Sequence, residues 1–391
     1  MTVMGRITRR GLVAVVTITM AVGVLATGTP VGAGASTRCH NAACTLGRAV
    51  RALVLAPGGP PGVIVVVQRG KVVSTVSAGV AEAGTSRPIG LDDHMRLASV
   101  SKAFSGAAAL ALVSSGRLSL ADTVGRRLPG LPGAWRSITL AELLNHTSGI
   151  PDFSQQPAFQ RDLIEHLLDP PAPYGLLRSV LKEPLRFTPG SRYEYSNSDN
   201  IVVGLMIEAA TGRSYEDELA STVFGPLGLH RTGLPRNQFL PSPEVHGYAV
   251  DPPAPPDDVT NLFAAGWTWA SGGVTSTPAD ANRFIRAYAS GATVTAAVHR
   301  AQFRFVPGDS EPPGPGTNAA GLGIFRYSTR CGTVYGHTGN TAGYTQFIAA
   351  SADGKRSVVV SVNAQITPKT DAALFTRLRA LYVTGVCAAL S

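Results

Sequence analysis

The sequence predicts an α/β fold. An antiparallel sheet flanked by helices is built from both ends of the chain, and a mostly helical domain is inserted between them. Three observations predict it. β-branched runs, which favour strands, fall near the two ends. Apolar segments long enough for helices adjoin both sets of strands. The middle of the chain is broken by prolines, among them Pro170, Pro171, Pro173, Pro184 and Pro189, and reads as irregular, mostly helical structure.

The elements follow in order. Arg6, Arg9 and Arg10 precede an apolar, acid-free run over 11–26, and small residues lead on to Ala33-Gly34-Ala35. Charged head, apolar middle and small-residue exit predict a cleavable signal peptide over 1–35, hence a secreted protein with no stable membrane span after processing. The apolar run is shorter than the roughly twenty residues that cross a bilayer. Residues 62–80 hold two β-branched runs around Gly70, a hairpin signal. Residues 99–115, rich in Ala, Leu and Val and stopped by Gly116, predict a buried helix. Residues 139–146 and 198–211 read as helices, and Pro252-Pro253-Ala254-Pro255-Pro256 as a stiff exit. Strand signals return from 332. Residues 344–350 and 357–362 flank Asp353-Gly354, a second hairpin, and 371–386 close with a helix. The sheet domain is therefore expected from 36–124 and 259–391, the insertion from 125–258, and the active site between them.

Composition excludes several classes. With 43 Gly and 28 Pro in 391 residues, the chain stays below the roughly 25–30% that argues for disorder. The formal charge is +9, but the arginines are scattered singly, so no basic face for nucleic acid is expected. Removing residues 1–35 takes away three Arg and no acid and leaves +6. Five lysines stand against 29 arginines, which makes a Lys inside an apolar run conspicuous. Cys39, Cys44, Cys331 and Cys387 are an even set in a chain read as exported, which favours disulfides in one of three connectivities. Cys331 before a strand and Cys387 at the end of the last helix could pin that helix to the sheet, leaving Cys39–Cys44 as a small local loop. No CxxC, HExxH or HxHxD spacing occurs, so neither metal nor other cofactor is expected.

The nucleophile candidate is Ser99 in Leu97-Ala98-Ser99-Val100-Ser101-Lys102. Ser99 and Lys102 lie three apart at a helix start and share a face. Lys102 sits among Val100, Ala103 and Phe104, where burial would lower its pKa and make it a base for the hydroxyl. Alone, the pattern also fits a capping serine and a surface lysine. Two further motifs change the weighing. Tyr195-Ser196-Asn197 can direct a phenol and a carboxamide into one cleft, and Gly336-His337-Thr338-Gly339-Asn340 lies on a strand edge along which a substrate could lie.

In this order the motifs resemble those of the serine β-lactamase and penicillin-binding superfamily, in the branch of class C β-lactamases and soluble D-alanyl-D-alanine carboxypeptidases. Leu144-Asn145-His146-Thr147-Ser148-Gly149-Ile150 and Gly272-Gly273-Val274-Thr275-Ser276-Thr277 resemble flanking segments of that branch. The resemblance covers roughly residues 45–388 and implies a β-lactamase/transpeptidase-like fold. It implies that Ser99 forms an acyl-enzyme, with Lys102 taking or tuning its proton. Tyr195 would protonate the leaving amine and later help to activate water. Asn197 would hold the substrate amide and Lys102, and the N–H groups of Ser99 and Asn340 would make the oxyanion hole. His337, Thr338 and Gly339 would bind the substrate carboxylate or assist protonation, with Trp267 and Phe159 as aromatic walls. An arginine that reads the substrate side chain falls at Phe325, one residue from Arg326. Either a bulge restores Arg326 to the site or the site lacks it.

The resemblance thus implies a serine-type D-alanyl-D-alanine carboxypeptidase acting on peptidoglycan stem peptides or a related small acyl substrate, with β-lactams as covalent ligands. A class C-like β-lactamase, an esterase or D-amino-acid amidase, and a non-enzymatic penicillin-binding sensor are the alternatives. No G-x-S-x-G elbow supports a conventional Ser-His-Asp hydrolase.

Overall fold

The computed structural model describes residues 41–391. The proposed signal peptide and Cys39 lie outside them. Eight antiparallel strands form one sheet: β1 (Gly62–Arg69), β2 (Val72–Gly79), β3 (Val306–Pro307), β4 (Thr317–Ala320), β5 (Phe325–Thr329), β6 (Gly332–Thr341), β7 (Tyr344–Ala350) and β8 (Arg356–Val362). Their spatial order is β2-β1-β8-β7-β6-β5-β4-β3. The first hairpin joins the last strand: Val63 faces Val362 and Arg69 faces Arg356. The sheet is therefore made from both ends of the chain, as the two sets of β-branched runs predict.

β1 carries valine or isoleucine at five successive positions because both faces are covered. Val63, Val65 and Val67 enter a core beneath α1 (Ala42–Val54) and the C-terminal helix α5 (Ala372–Leu390), while Val66 enters the core on the other side. Each such side chain, fully buried, contributes about 1.5–3 kcal/mol. The second core is the larger. It unites the sheet with α2 (Ser101–Ser114), α3 (Asn197–Thr211) and α4 (Pro278–Ser290). Every residue of α2 from Ser101 to Leu110 is buried, so α2 is apolar around its circumference, as a central helix must be. Phe104 stacks on Phe284 of α4 with ring centroids 3.7 Å apart.

The middle of the chain supplies short helices and turns, including Leu140–Leu144, which Thr139 and Glu142 close with a capping box. Gly116 and Gly212, with φ of 75° and 68°, end α2 and α3 in left-handed turns. A disulfide joins Cys331, at the β5–β6 turn, to Cys387 in α5 with Cα atoms 5.1 Å apart. Cys44 is also disulfide-bonded.

Candidate active site

The nucleophile turn is held from both sides. Met95 and Arg96 pair with Ser276 and Thr275, and the chain then enters a 3₁₀ turn, Ala98–Val100, that leads into α2. Ala98 has φ +50°, a strained conformation for a non-glycine residue, costing about 1–3 kcal/mol. It presents Ser99 at the start of the helix. Strand β6 crosses directly over this turn: a Cβ on Gly339 would stand 2.2 Å from the Leu97 carbonyl oxygen, so only glycine fits.

Lys102 lies one helical turn on and is 1% exposed. Its Nζ reaches Ser99 Oγ at 3.0 Å, Asn197 Oδ1 at 2.7 Å and the Ser271 carbonyl at 2.7 Å. Burial lowers its pKa to about 7, against the opposing fields of Asp152, Glu311 and Asp199. The amide and peptide oxygens can only accept hydrogen bonds. A neutral Lys102 amine therefore spends both protons on them and turns its lone pair to the Ser99 hydroxyl. Asn197 is itself fixed, since its Nδ2 donates to Asp152 Oδ2 at 2.8 Å and Ser154 Oγ at 3.0 Å.

The Tyr195 ring lies 5.1 Å from Lys102 Nζ. Burial pushes its phenol well above the ordinary range, with Ser99 opposing, so it is a proton donor near neutral pH. Its hydroxyl is buried beside Ser99. His146 tilts against the ring at 4.5 Å. Behind it, His146 Nδ1 lies 2.9 Å from Asp199 Oδ2, and Ser148 donates to Asp199 Oδ1. The His146–Gly149 turn is thereby latched to α3, two residues beyond Asn197. His146 (φ +59°) and Trp269 (φ +34°), the latter beside Ser271, are with Ala98 the non-glycine residues at positive φ among the described residues. All three adjoin the Ser99–Lys102–Tyr195 group, where such strain tends to collect.

On β6 the side chains of His337 and Thr338 are bonded within the protein. His337 is buried with Nδ1 2.6 Å from the Thr338 carbonyl, which places the proton on Nδ1. Burial and the field of Lys102 hold its pKa at about 3, so the ring is neutral. Thr338 is wholly buried and donates to the Pro312 carbonyl at 2.7 Å. The Asn340 side chain points away from Ser99, donating to Thr345 Oγ1 and the Ile366 carbonyl; only its backbone remains for an oxyanion. β5 pairs with β6 only as far as Gly336, whereas β7 follows it to Thr341. Among the described residues, 337–341 thus keep an edge without a strand partner, suited to an added substrate strand.

Trp267 is buried, donates to the His166 carbonyl, and meets the edge of Phe159, which in turn meets Phe153. The two expected walls form one aromatic block beneath the Asp152–Ser154 turn. The arginine question is resolved against Arg326. The β5 register is continuous, Phe325 opposite Gly336 and Arg326 opposite Tyr335, with no bulge. Phe325 takes the inward position, 5.1 Å from the His337 ring, while Arg326 is exposed and lies over Phe305. Arg326 is therefore outside the site. Asp152, Ser154, Ser271, Asp199 and Glu311 belong around it and were not singled out by sequence. A surface hollow of about 760 Å³ between His94, Arg231 and Phe239 contains none of these groups.

A family model described as Beta-lactamase matches residues 48–382. Penicillin-binding protein 4* of Bacillus subtilis is 27% identical over 77% of this chain and 68% of its own. A D-stereospecific amidohydrolase from Streptomyces superposes with a TM-score of 0.75 at 28% identity, covering 86% of this chain and 98% of that one. A D-amino acid amidase from Ochrobactrum anthropi has the same TM-score at 24% identity, covering 88% of this chain and 98% of its own, a likeness of fold.

Proposed function

The chain belongs to the beta-lactamase family and is a serine hydrolase of that fold, and from this premise we propose that Ser99 cleaves amide bonds of D-amino-acid substrates through an acyl-enzyme. One observation carries the reading: Lys102, dry and with a pKa near 7, is held by two obligate acceptors so that its lone pair faces Ser99 Oγ. In the first step Lys102 Nζ takes the Ser99 proton, Oγ bonds to the acyl carbon, and backbone N–H groups of Ser99 and Asn340 receive the oxyanion. The Tyr195 phenol protonates the departing amine and is reprotonated from Lys102. Water then cleaves the ester, with the same pair returning the proton to Ser99.

The D-stereospecific amidohydrolase supports D-configured substrates, and the penicillin-binding relative supports acylation by β-lactams. The D-alanyl-D-alanine carboxypeptidase and D-amino-acid amidase readings share this acylation and differ in the charged group that the site must recognise. The proposal includes export, which the Cys331–Cys387 disulfide supports. Intact-mass measurement after exposure to benzylpenicillin tests it. A covalent adduct is expected on the native chain and none on Ser99→Ala. Hydrolysis that survives intact in Ser99→Ala would remove the proposal.

A further inference from the structure

The charge of the chain is divided unevenly between its parts. Residues 41–81 and 312–391, which supply α1, α5 and seven of the eight strands, hold eleven Lys and Arg and only two acids. Residues 82–311 hold 19 Lys and Arg and 23 acids. Both acids of the first group are used locally. Asp371 caps α5, and Asp353 Oδ1 accepts from Ser351 Oγ at 2.6 Å and from the Lys355 N–H at 3.0 Å inside the β7–β8 turn. A charge asymmetry of this kind between parts of one chain points to an anionic partner.

Scattered singly in sequence, five of these cations meet at one end of the sheet. The β1–β2 turn carries Arg69 and Lys71, the β5–β6 turn Arg330, and the β7–β8 turn Lys355 and Arg356, all exposed. The turns adjoin one another. The Gly70 N–H donates to the Lys355 carbonyl at 2.7 Å, and Arg69 stands opposite Arg356 across the strands. Arg356 donates to the Leu390 carbonyl at the end of α5, and Gly332 of the β5–β6 turn packs against the same Leu390, whose Cδ1 would lie 2.9 Å from an added Cβ. Arg356 thus has a structural use at the negative end of a helix. Arg69, Lys71 and Arg330 have no ion-pair partner among the described residues, and two arginines directly opposite each other repel. The second observation is apolar. Val72 and Val73 follow Lys71 on β2, the edge strand, and are 63% and 46% exposed. Cations around exposed aliphatic side chains suit a surface that offers both negative charge and hydrocarbon. A soluble polyanion would leave the valines without a use.

We propose that this end of the sheet docks on an anionic lipid bilayer, with Arg69, Lys71, Arg330 and Lys355 against the headgroups and Val72 and Val73 entering the boundary beneath them. The Ser99 turn lies towards the other end. β6 begins at Gly332, beside the cationic turns, and crosses the Leu97 carbonyl at Gly339, seven residues or about 23 Å of strand further on. A docked molecule therefore holds its cleft away from the lipid. Docking does not depend on the acyl-enzyme reading and stands or falls separately from it.

Sedimentation with vesicles decides it, one set of phosphatidylcholine alone and one of phosphatidylcholine and phosphatidylglycerol in equal parts. The chain from residue 36 is used, because the apolar run over 11–26 would itself take up lipid. It is expected to sediment with the mixed vesicles, to stay in solution with phosphatidylcholine alone, and to be released as salt rises. Arg69→Gln, Lys71→Gln and Lys355→Gln together should lower the partition coefficient about a hundredfold, at about fivefold for each cation. Val72→Ser with Val73→Ser should lower it several-fold at unchanged charge. An unchanged melting transition in each variant shows that the fold is kept. Equal binding to the two vesicle types, or no binding to either, overturns the proposal with the native chain alone. Native-like binding by the triple variant overturns it as well. If the valine variant binds the mixed vesicles like the native chain and a soluble polyphosphate displaces both, the turns read a soluble polyanion and the lipid proposal fails.

Discussion

At the scale of single residues, the chemistry turns on a lysine that the fold keeps dry. A lysine's ordinary pKa of about 10.4 would leave it protonated at neutral pH; burial brings Lys102 to about 7. Because the base form is the working form, kcat/KM should rise with pH through an apparent pKa near 7 and level above it. Lys102→Arg keeps a proton at every such pH. It should lose about 10²–10⁴ in kcat/KM, the usual contribution of a positioned base, together with the pH-dependent limb. A profile that retains that limb in Lys102→Arg would assign the titration to another group. Ser99 and Lys102 are legible in sequence because Tyr195-Ser196-Asn197 and Gly336-His337-Thr338-Gly339-Asn340 follow them in order; alone, their spacing also fits a capping serine and a surface lysine. Ser271 is not, because it offers a peptide carbonyl, which any residue has. Asp152 is not, because its partner Asn197 lies 45 residues away and only the folded chain joins them.

At the scale of elements, register decides what the strands present. The β-branched runs announce β1, β7 and β8, but a one-residue slip reverses a strand's faces. Sequence alone therefore leaves Phe325 and Arg326 undecided, and the unbroken pairing with β6 decides it. The inward Phe325 makes the surroundings of His337 apolar, which has a consequence for stability. The folded His337 pKa, about 3, lies below the ordinary 6.5, so the unfolded chain binds the extra proton. Stability from this group is complete above about pH 6.5 and is lost as pH falls towards 3, at up to about 1.4 kcal/mol per pH unit. Urea unfolding at pH 7, 5.5 and 4 should show a smaller acid loss in His337→Asn than in the native chain. His146 is a poorer choice for this comparison. Its neighbour Asp199 is pushed up by burial and so contributes the opposite slope. Equal acid losses in the native chain and His337→Asn would mean that His337 is already charged in the folded state.

At the scale of the whole molecule, the sheet is closed by the two ends of the chain, and the site lies where the helical middle meets β6. Asn197 at the head of α3, Ser271 ahead of α4 and Ser99 at the head of α2 all meet at Lys102, so catalysis requires the complete fold. Its C-terminal closure is fastened twice, by α5 packing on the sheet and by the Cys331–Cys387 bond. That bond spans 56 residues, and a crosslink of this span restricts the unfolded chain by about 4 kcal/mol in the chain-entropy treatment. It joins the β5–β6 turn, six residues before His337, to α5. Cys331→Ser with Cys387→Ser should therefore lower Tm by several degrees, on the order of 2–4 °C per kcal/mol or less for a chain of this size. Benzylpenicillin acylation at 25 °C should stay close to the native rate, because no atom of the pair contributes to the Lys102 network. If acylation instead falls in step with Tm, the far end of β6 is not rigid enough to hold Gly339 against the Ser99 turn without the crosslink.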